Sequence, residues 1–358
     1  MGRESAGVDF ALIGHADRWE KLFRILEELR DPQLPRVSES DLKDLLPWIP
    51  PRTVMRLRAK SDVSKSVVNG IYIETFITPD QLAAGSFKSV VEKIRYAAQT
   101  AVREGARIAA LGGFTSIALE TEGVLLDETA TAFTTGNTLT AAYIVKGVEA
   151  AARRLGREIS QATILIIGAT GDVGSGCARY FSRSAKRILL VARNPRRLEA
   201  LSAELRTQPA EIECSTDLGE FLGRSEIVIS AASLAEPSLN LGPCPPNALI
   251  CDAGYPRNVD ARTRLPSQRL FFGGMGYFRG RIHYEPDLRA GFYEFPSPGI
   301  IHGCLMEAAL LALEGRVEPF SQGRGNISPE KIQEIWAMAE KHGFELAPFF
   351  NGEGLWEF

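Results

Sequence analysis

The chain has 358 residues, 45% of them hydrophobic and 24% charged, with a formal net charge of −3. That balance belongs to an ordinary globular protein and gives no basic field of the kind that non-specific nucleic-acid binding needs. The length is enough for two or three domains, each burying its own core.

The first residues, MGRESAGVDF, lack the apolar core of a signal peptide, and Ala6 stands where a myristoylation motif needs Ser or Thr. No apolar run reaches the roughly 18 residues of a membrane span. The five cysteines are odd in number and scattered, without a CxxC pair, which fits a reducing cytoplasm better than a disulfide framework. The four histidines are dispersed, so no zinc site is expected.

In chain order, FALIGH reads as a strand, and DRWEKLFRILEELR as an amphipathic helix with Asp17 as N-cap. LPWIPP is a connection, YIETFI a strand, and FKSVVEKIRYAAQTAVREG a helix ending at Gly105. RIAALGGFTSIAL is a strand broken at Gly112 and Gly113. FTTGNT is a polar turn feeding a helix that stops at Gly156. From about residue 160, ATILIIG, RILLVAR, EIVISAAS and ALICDAG are short apolar runs, and helix-like stretches separate the first three. Buried parallel strands look like this, so the expected fold is α/β with a Rossmann-like doubly wound sheet. The last part is mainly helical, over 301–315 and 328–342. The expected units are 1–158, an N-terminal α/β substrate domain; 159–290, a nucleotide-binding domain; and 291–358, a helical segment.

The strongest motif is GATGDVGS. Gly168, Gly171 and Gly174 lie between a buried strand and a helix, with Thr170, Asp172 and Val173 completing the loop. Such glycines permit a tight turn and close approach to a pyrophosphate, and the helix start offers N–H groups and the positive dipole end. An NAD site usually carries an acidic residue about 20 residues on. Here Arg193, Asn194, Arg196 and Arg197 stand there, and arginines pair with a 2′-phosphate that a carboxylate would repel. NADPH is therefore the expected cofactor. Ser230, Ala231 and Ala232 end a later strand where small residues let a cofactor lie close. Gly254 and Pro256 would shape a loop at the sheet's carboxyl edge.

Cys304 sits at the start of an apolar helix, where a thiolate is stabilised. Glu307 shares its face, and a carboxyl on a buried helix needs a partner or a proton-handling role. Two readings of Cys304 stand: a small packed hydrophobe, or a nucleophile. Packing is the expectation for Cys177 and Cys251, and no motif surrounds Cys214 or Cys244. His302 would point away from Cys304 if both lay on one helix. His15 and His342 end a strand and a helix, where capping or packing suits them.

Taken together, LIGH, ALGGFTSI, FTTGNT, GATGDVGS, ARNPRRLE, DAGYPRN, GCLMEAALLALEG and KHGF, in this order, resemble the long-chain acyl-[acyl-carrier-protein] reductases known from cyanobacteria. The resemblance implies NADPH-dependent reduction of a fatty acyl thioester to a fatty aldehyde through an acyl-enzyme on Cys304. Both steps pass through an oxyanion. Thr115, Ser116, Thr135 and Asn137 are the side-chain donors considered for it, with N-cap or turn chemistry as their alternative, a role Thr138 could also fill. The partners implied are an acyl carrier protein, or CoA, and an aldehyde consumer such as an aldehyde-deformylating oxygenase. The segment 51–65, with Arg52, Arg56, Arg58, Lys60 and Lys65 against Asp62, is a candidate docking face for an acidic carrier. The stretch 277–302 departs from the family pattern.

Competing readings are a reductase of glutamyl-tRNA reductase or shikimate dehydrogenase layout and a non-catalytic NADPH sensor. The first should carry an N-terminal nucleophile, yet no cysteine precedes Cys177. The second needs a lysine–aspartate pair, and Lys146 is not evidently part of one.

Overall fold

The computed structural model describes residues 7–16, 18–78, 80–81, 88–126, 130–234, 237–254, 256–288 and 295–356. The first half contributes β1 (Phe10–Gly14), α1 (Trp19–Leu29), α2 (Glu39–Leu45), β2 (Arg52–Ser61), β3 (Val67–Glu74), α3 (Lys88–Arg103), β4 (Ile108–Leu111), α4 (Phe114–Thr121), β5 (Ala132–Thr134) and α5 (Asn137–Arg154). Strand β1 pairs in parallel with β3 and β4, and β5 extends the parallel run. Its side chains alternate between faces: Ala11 and Ile13 pack with Val90, Ile94 and Ala97 of α3, while Phe10 and Leu12 join the larger core on the other face. Asp17, the expected cap of α1, lies outside the described residues; Arg18 precedes the helix in extended conformation without a side-chain cap bond.

The second sheet uses β6 (Thr163–Ile167), α6 (Asp172–Phe181), β7 (Arg187–Val191), α7 (Pro195–Leu205), β8 (Glu211–Ser215), α8 (Gly219–Leu222), β9 (Ile227–Ser230), β10 (Leu249–Asp252) and β11 (Arg269–Phe272). All six strands are parallel, in the order β11-β10-β9-β6-β7-β8. The order reverses between β6 and β9, which opens a crevice at their carboxyl ends. This is the doubly wound sheet that the apolar runs predict.

After the second sheet come β12 (Met275–Phe278), β13 (Gly280–Glu285), β14 (Ile300–His302), α9 (Gly303–Glu314), α10 (Pro329–His342), β15 (Phe344–Leu346) and the short antiparallel pair β16 (Phe350–Asn351) and β17 (Gly354–Leu355). Two of the expected boundaries need correction. Strand β13 lies in the span assigned to the nucleotide-binding unit, yet it pairs antiparallel with β2 and forms the edge of the first sheet. The last segment is not only helical, since β14 and β15 flank β12 in a small antiparallel sheet. Both pairings join stretches far apart in sequence, so local pattern does not reveal them. Helix α9 is buried nearly all round and packs on β1, β4, α5 and α10. No helix among the described residues is long and apolar enough to cross a membrane.

Candidate active site

Cys304 is the second residue of α9 and half-buried. It opens into a small cavity walled by the carboxyl edges of both sheets. Gly14, His15, Gly112 and Gly113 come from the first sheet, Ala253 and Gly273 from the second. The backbone packs tightly behind it. Gly136 is left-handed, with φ 69°, and a Cβ there would lie 1.9 Å from the Cys304 carbonyl oxygen. Burial pushes the Cys304 thiol above its ordinary value, although N–H groups of Gly113 and Leu305 face the sulfur and oppose the shift. The helix start alone therefore does not make it a thiolate, contrary to the simplest expectation from its position.

His302 ends β14 and is the N-cap of α9, in extended backbone. It is not on the helix, so the geometry that would point it away from Cys304 does not apply, and both residues line the same cavity. Glu307 lies elsewhere. Its carboxyl is fully buried; Oε1 accepts from the hydroxyls of Thr134 and Ser321 (2.7 Å for Ser321), and Oε2 from the Leu139 N–H at 2.9 Å. Burial raises its pKa, against these hydrogen bonds. The first N–H groups of α5 are satisfied from outside the helix. Asn137 donates to Thr135 Oγ1 at 3.4 Å, Thr138 to Ser321 Oγ at 3.0 Å, and Leu139 to Glu307. Glu307 is thus a cap for the next helix, supplied from α9.

The hydroxyl donors expected around the oxyanion sit differently. Phe114–Thr121 is helical rather than a turn, and its first residues bond back to the glycine pair: Thr115 Oγ1 to the Gly112 carbonyl at 2.8 Å, Ser116 Oγ to the Gly113 carbonyl at 3.2 Å. Ser116, Thr135 and Asn137 line a separate apolar cavity, not that of Cys304. The Thr138 and Ser321 hydroxyl oxygens lie 2.6 Å apart, and Gly136, not Thr138 or Asn137, is the N-cap of α5. His15 behaves as expected: its Nε2 accepts the Phe114 N–H at 3.0 Å, capping α4, while Nδ1 lies 3.1 Å from the Ala16 carbonyl. His342 ends α10 and bridges Glu314 and Ser64. Cys177 and Cys251 are buried, with thiols pushed up by desolvation, the former to about 12.

The nucleotide site has the shape the motif predicts. Gly168 takes φ 79°, and a Cβ on it would strike the Ala231 backbone at 2.8 Å, so the strand ends of β6 and β9 touch at the switch point. Gly171 precedes α6 as its N-cap, Asp172 and Val173 open the helix, and Gly174 packs on Gly168. Thr170 and Arg197 line one cleft, and Arg193 is exposed at the end of β7 outside that lining. Two side chains are already engaged within the protein. Asn194 Oδ1 caps α7 by accepting the Arg197 N–H at 3.1 Å, and Asp172 Oδ2 accepts from Asn137 Nδ2 at 2.9 Å. Asp172 Oδ1 is buried without a protein partner, and burial pushes this carboxyl up to about 6. A left-handed glycine, a helix start and basic residues after β7 suit a phosphate-bearing dinucleotide.

A curated long-chain acyl-[acyl-carrier-protein] reductase from Synechococcus elongatus is 34% identical over 355 residues, 94% of this chain and 98% of that protein. The chain belongs to the long-chain acyl-[acyl-carrier-protein] reductase family. Within it, residues 149–271 also match the Shikimate / quinate 5-dehydrogenase family profile. An aminotransferase, PigE of Serratia sp., is 24% identical over 274 residues, 76% of this chain but 32% of its own length. Quinate dehydrogenase of Corynebacterium glutamicum, solved with NAD, aligns over 92% of this chain and 99% of its own at 11% identity and a TM-score of 0.40. Lys146 of this reductase-family chain bonds Tyr180 and Glu149 and lines neither cavity beside Cys304. Sequence reasoning missed Tyr72, Arg257 and Ser321. Tyr72 and Arg257 reach the Cys304 cavity from β3 and from the DAGYPRN loop, and the basic residue in that loop was the available signal. Ser321 carried no signal, because its role depends on Glu307 being beneath it.

Proposed function

We propose that this protein reduces a long-chain acyl thioester to the fatty aldehyde with NADPH, through an acyl-enzyme on Cys304. The observation that carries the reading is the position of Cys304, in a cavity whose walls are the carboxyl edges of a nucleotide-binding sheet and of a second sheet. A larger apolar cavity of about 630 Å3 shares Tyr72, His302 and Leu305 with it, within the ~300–1,000 Å3 range of small-molecule sites. Leu12, Met55, Leu57, Ile282 and Met306 line that space and suit an acyl chain.

In the first step Cys304 Sγ attacks the thioester carbonyl, its proton leaves, and the carrier thiol departs protonated. His302, which lines the same cavity, takes that proton and passes it to the carrier thiol. The Gly113 and Leu305 N–H groups face the sulfur, and in this reading they turn to donate to the developing oxyanion. The nicotinamide, when bound, would supply the hydride that turns the Cys304 thioester into aldehyde; the Cys304 thiolate that leaves takes a proton from solvent and is restored as a thiol. Gly168, Gly171, Gly174, Thr170 and Arg197 hold the cofactor, while Glu307 and Ser321 keep α5 and α9 in register.

The first sheet, with β13 and α9, is the acyl-binding part, and the second sheet the cofactor part. The carrier docks on the outer face of β2 and β13. Arg58 and Lys60 are exposed there and stand opposite His283 and Arg281. Lys60 and Arg281 are like charges across a strand pair, which cost stability, so an acidic partner would relieve them. Arg56 is already paired with Glu104 at 3.1 Å, and Lys65 donates to the Asp62 carbonyl. All five cysteines are free, which supports a cytoplasmic setting. The aldehyde is reactive, so an aldehyde-consuming enzyme, of which a deformylating oxygenase is one kind, is expected as partner. Radiolabelled C16–C18 acyl thioester, given without NADPH, should label Cys304, and NADPH should discharge the label as aldehyde. Aldehyde formation by a Cys304→Ala variant would sink the mechanism.

A further inference from the structure

A second, polar cleft lies beside the glycine loop, between α6 and α7. Thr170, Ser175, Arg179 and Arg197 line it, and Arg324 enters it from the connection between α9 and α10, far from the nucleotide fold in sequence. That connection is anchored on both sides of Arg324. Upstream, Ser321 bonds Glu307 and Thr138. Downstream, the Gly325 N–H faces the Asp172 carboxylate, and Ile327 fits against Gly176, where a Cβ would meet it at 2.6 Å.

The charges in the cleft are not equivalent. Glu204 lines it too, but grips Arg179 with two bonds, at 2.6 and 3.0 Å. Arg324 meets Glu120 of α4 through Nε at 2.8 Å, which accounts for one of the five donors of a guanidinium. A phosphate monoester placed here would meet a threonine hydroxyl on the glycine loop and two forked cations from different parts of the chain.

We propose that Arg324 is a ligand of the 2′-phosphate of NADPH, acting with Thr170 and Arg197. The proposal rests on the NADPH reading above and adds a cofactor contact from outside the nucleotide fold. The phosphate takes donors that Glu120 leaves free, against the repulsion of the Glu120 carboxylate, while the same connection keeps its hold on Glu307 beneath the nucleophile helix.

The test is cofactor binding without acyl substrate, read by nicotinamide fluorescence for NADPH and NADH and by calorimetry for 2′,5′-ADP. Arg324→Gln should weaken NADPH and 2′,5′-ADP by about tenfold or more and NADH by less than about twofold. Arg324→Lys should fall between, and Glu120→Gln should tighten NADPH. Unchanged NADPH affinity in Arg324→Gln would overturn the assignment. Equal losses for NADPH and NADH would do so as well, because they place Arg324 on the shared pyrophosphate or in the fold alone. A wild-type protein that binds NADH as tightly as NADPH would refute the cofactor reading itself.

Discussion

Cys304 is a thiol held in a site that resists its ionisation. Desolvation raises it, and the facing N–H groups offset only part of that cost. In the cofactor-free protein its alkylation by iodoacetamide should therefore rise with pH to a midpoint above the usual thiol value of about 8.5. Cys304→Ala supplies the background to subtract. A midpoint near neutrality would show instead that the helix end dominates. A second buried group makes a separate statement about stability. Burial pushes the Glu74 carboxyl from 4.5 to about 8 and lowers Lys93 to about 8. The folded state binds the Glu74 proton more tightly than the unfolded chain does. Stability relative to Glu74→Gln should thus fall as pH rises from about 4.5 towards 8. Lys93 acts above that window, where its lowered value makes stability recover with pH. Urea midpoints of the two proteins that keep a constant difference from pH 5 to 8 would contradict this.

Helix α9 is an element whose polar residue serves its neighbour. Glu307 receives two hydroxyls and the third N–H of α5, so removing it takes the acceptor from the buried Thr134 hydroxyl and Leu139 N–H and leaves Ser321 with Thr138 alone. Glu307→Ala should lower the unfolding free energy by about 3 kcal/mol or more, and Glu307→Gln, which retains an acceptor, by less than half of that. A strut and a proton donor separate cleanly here. If Glu307 moved a proton in the reaction, Glu307→Gln would abolish turnover while leaving the unfolding curve and Cys304 acylation nearly intact. The pattern of this helix, apolar all round with one carboxyl, announced that the carboxyl needed partners. It did not say that they come from the TTGNT turn and from Ser321.

The molecule sets a mixed sheet and a parallel sheet so that the carboxyl edges of their parallel strands meet at one cavity, and adds β13 as the outer, antiparallel edge of the first. That added strand brings Arg281 and His283 beside Lys60 and Arg58 and lines the large cavity with Arg281 and Ile282. Charge reversal at Arg58 and Lys60 should raise KM for acyl-carrier substrate by about three- to tenfold and leave KM for acyl-CoA unchanged. Added salt should erase the difference, because exposed charges are screened within about 10 Å at 0.1 M ionic strength. Equal effects on both substrates would remove the docking face.

Features governed by short-range physics were readable before any coordinates. The glycine loop needs φ above zero at Gly168, buried strands need continuous apolar runs, and the start of α9 follows from Pro298, Gly299 and Gly303 ahead of an apolar stretch. Hence the doubly wound sheet, the glycine loop after β6 and a cysteine at a helix start could be placed from residue order. Partnership between side chains could not. The Ser116 hydroxyl turned back to a carbonyl, Thr135 faced another cavity, and His302 left the helix to cap it beside Cys304. Those outcomes depend on which distant segments pack together, and a hydroxyl, imidazole or carboxyl takes whichever partner the closed tertiary structure brings within about 3 Å.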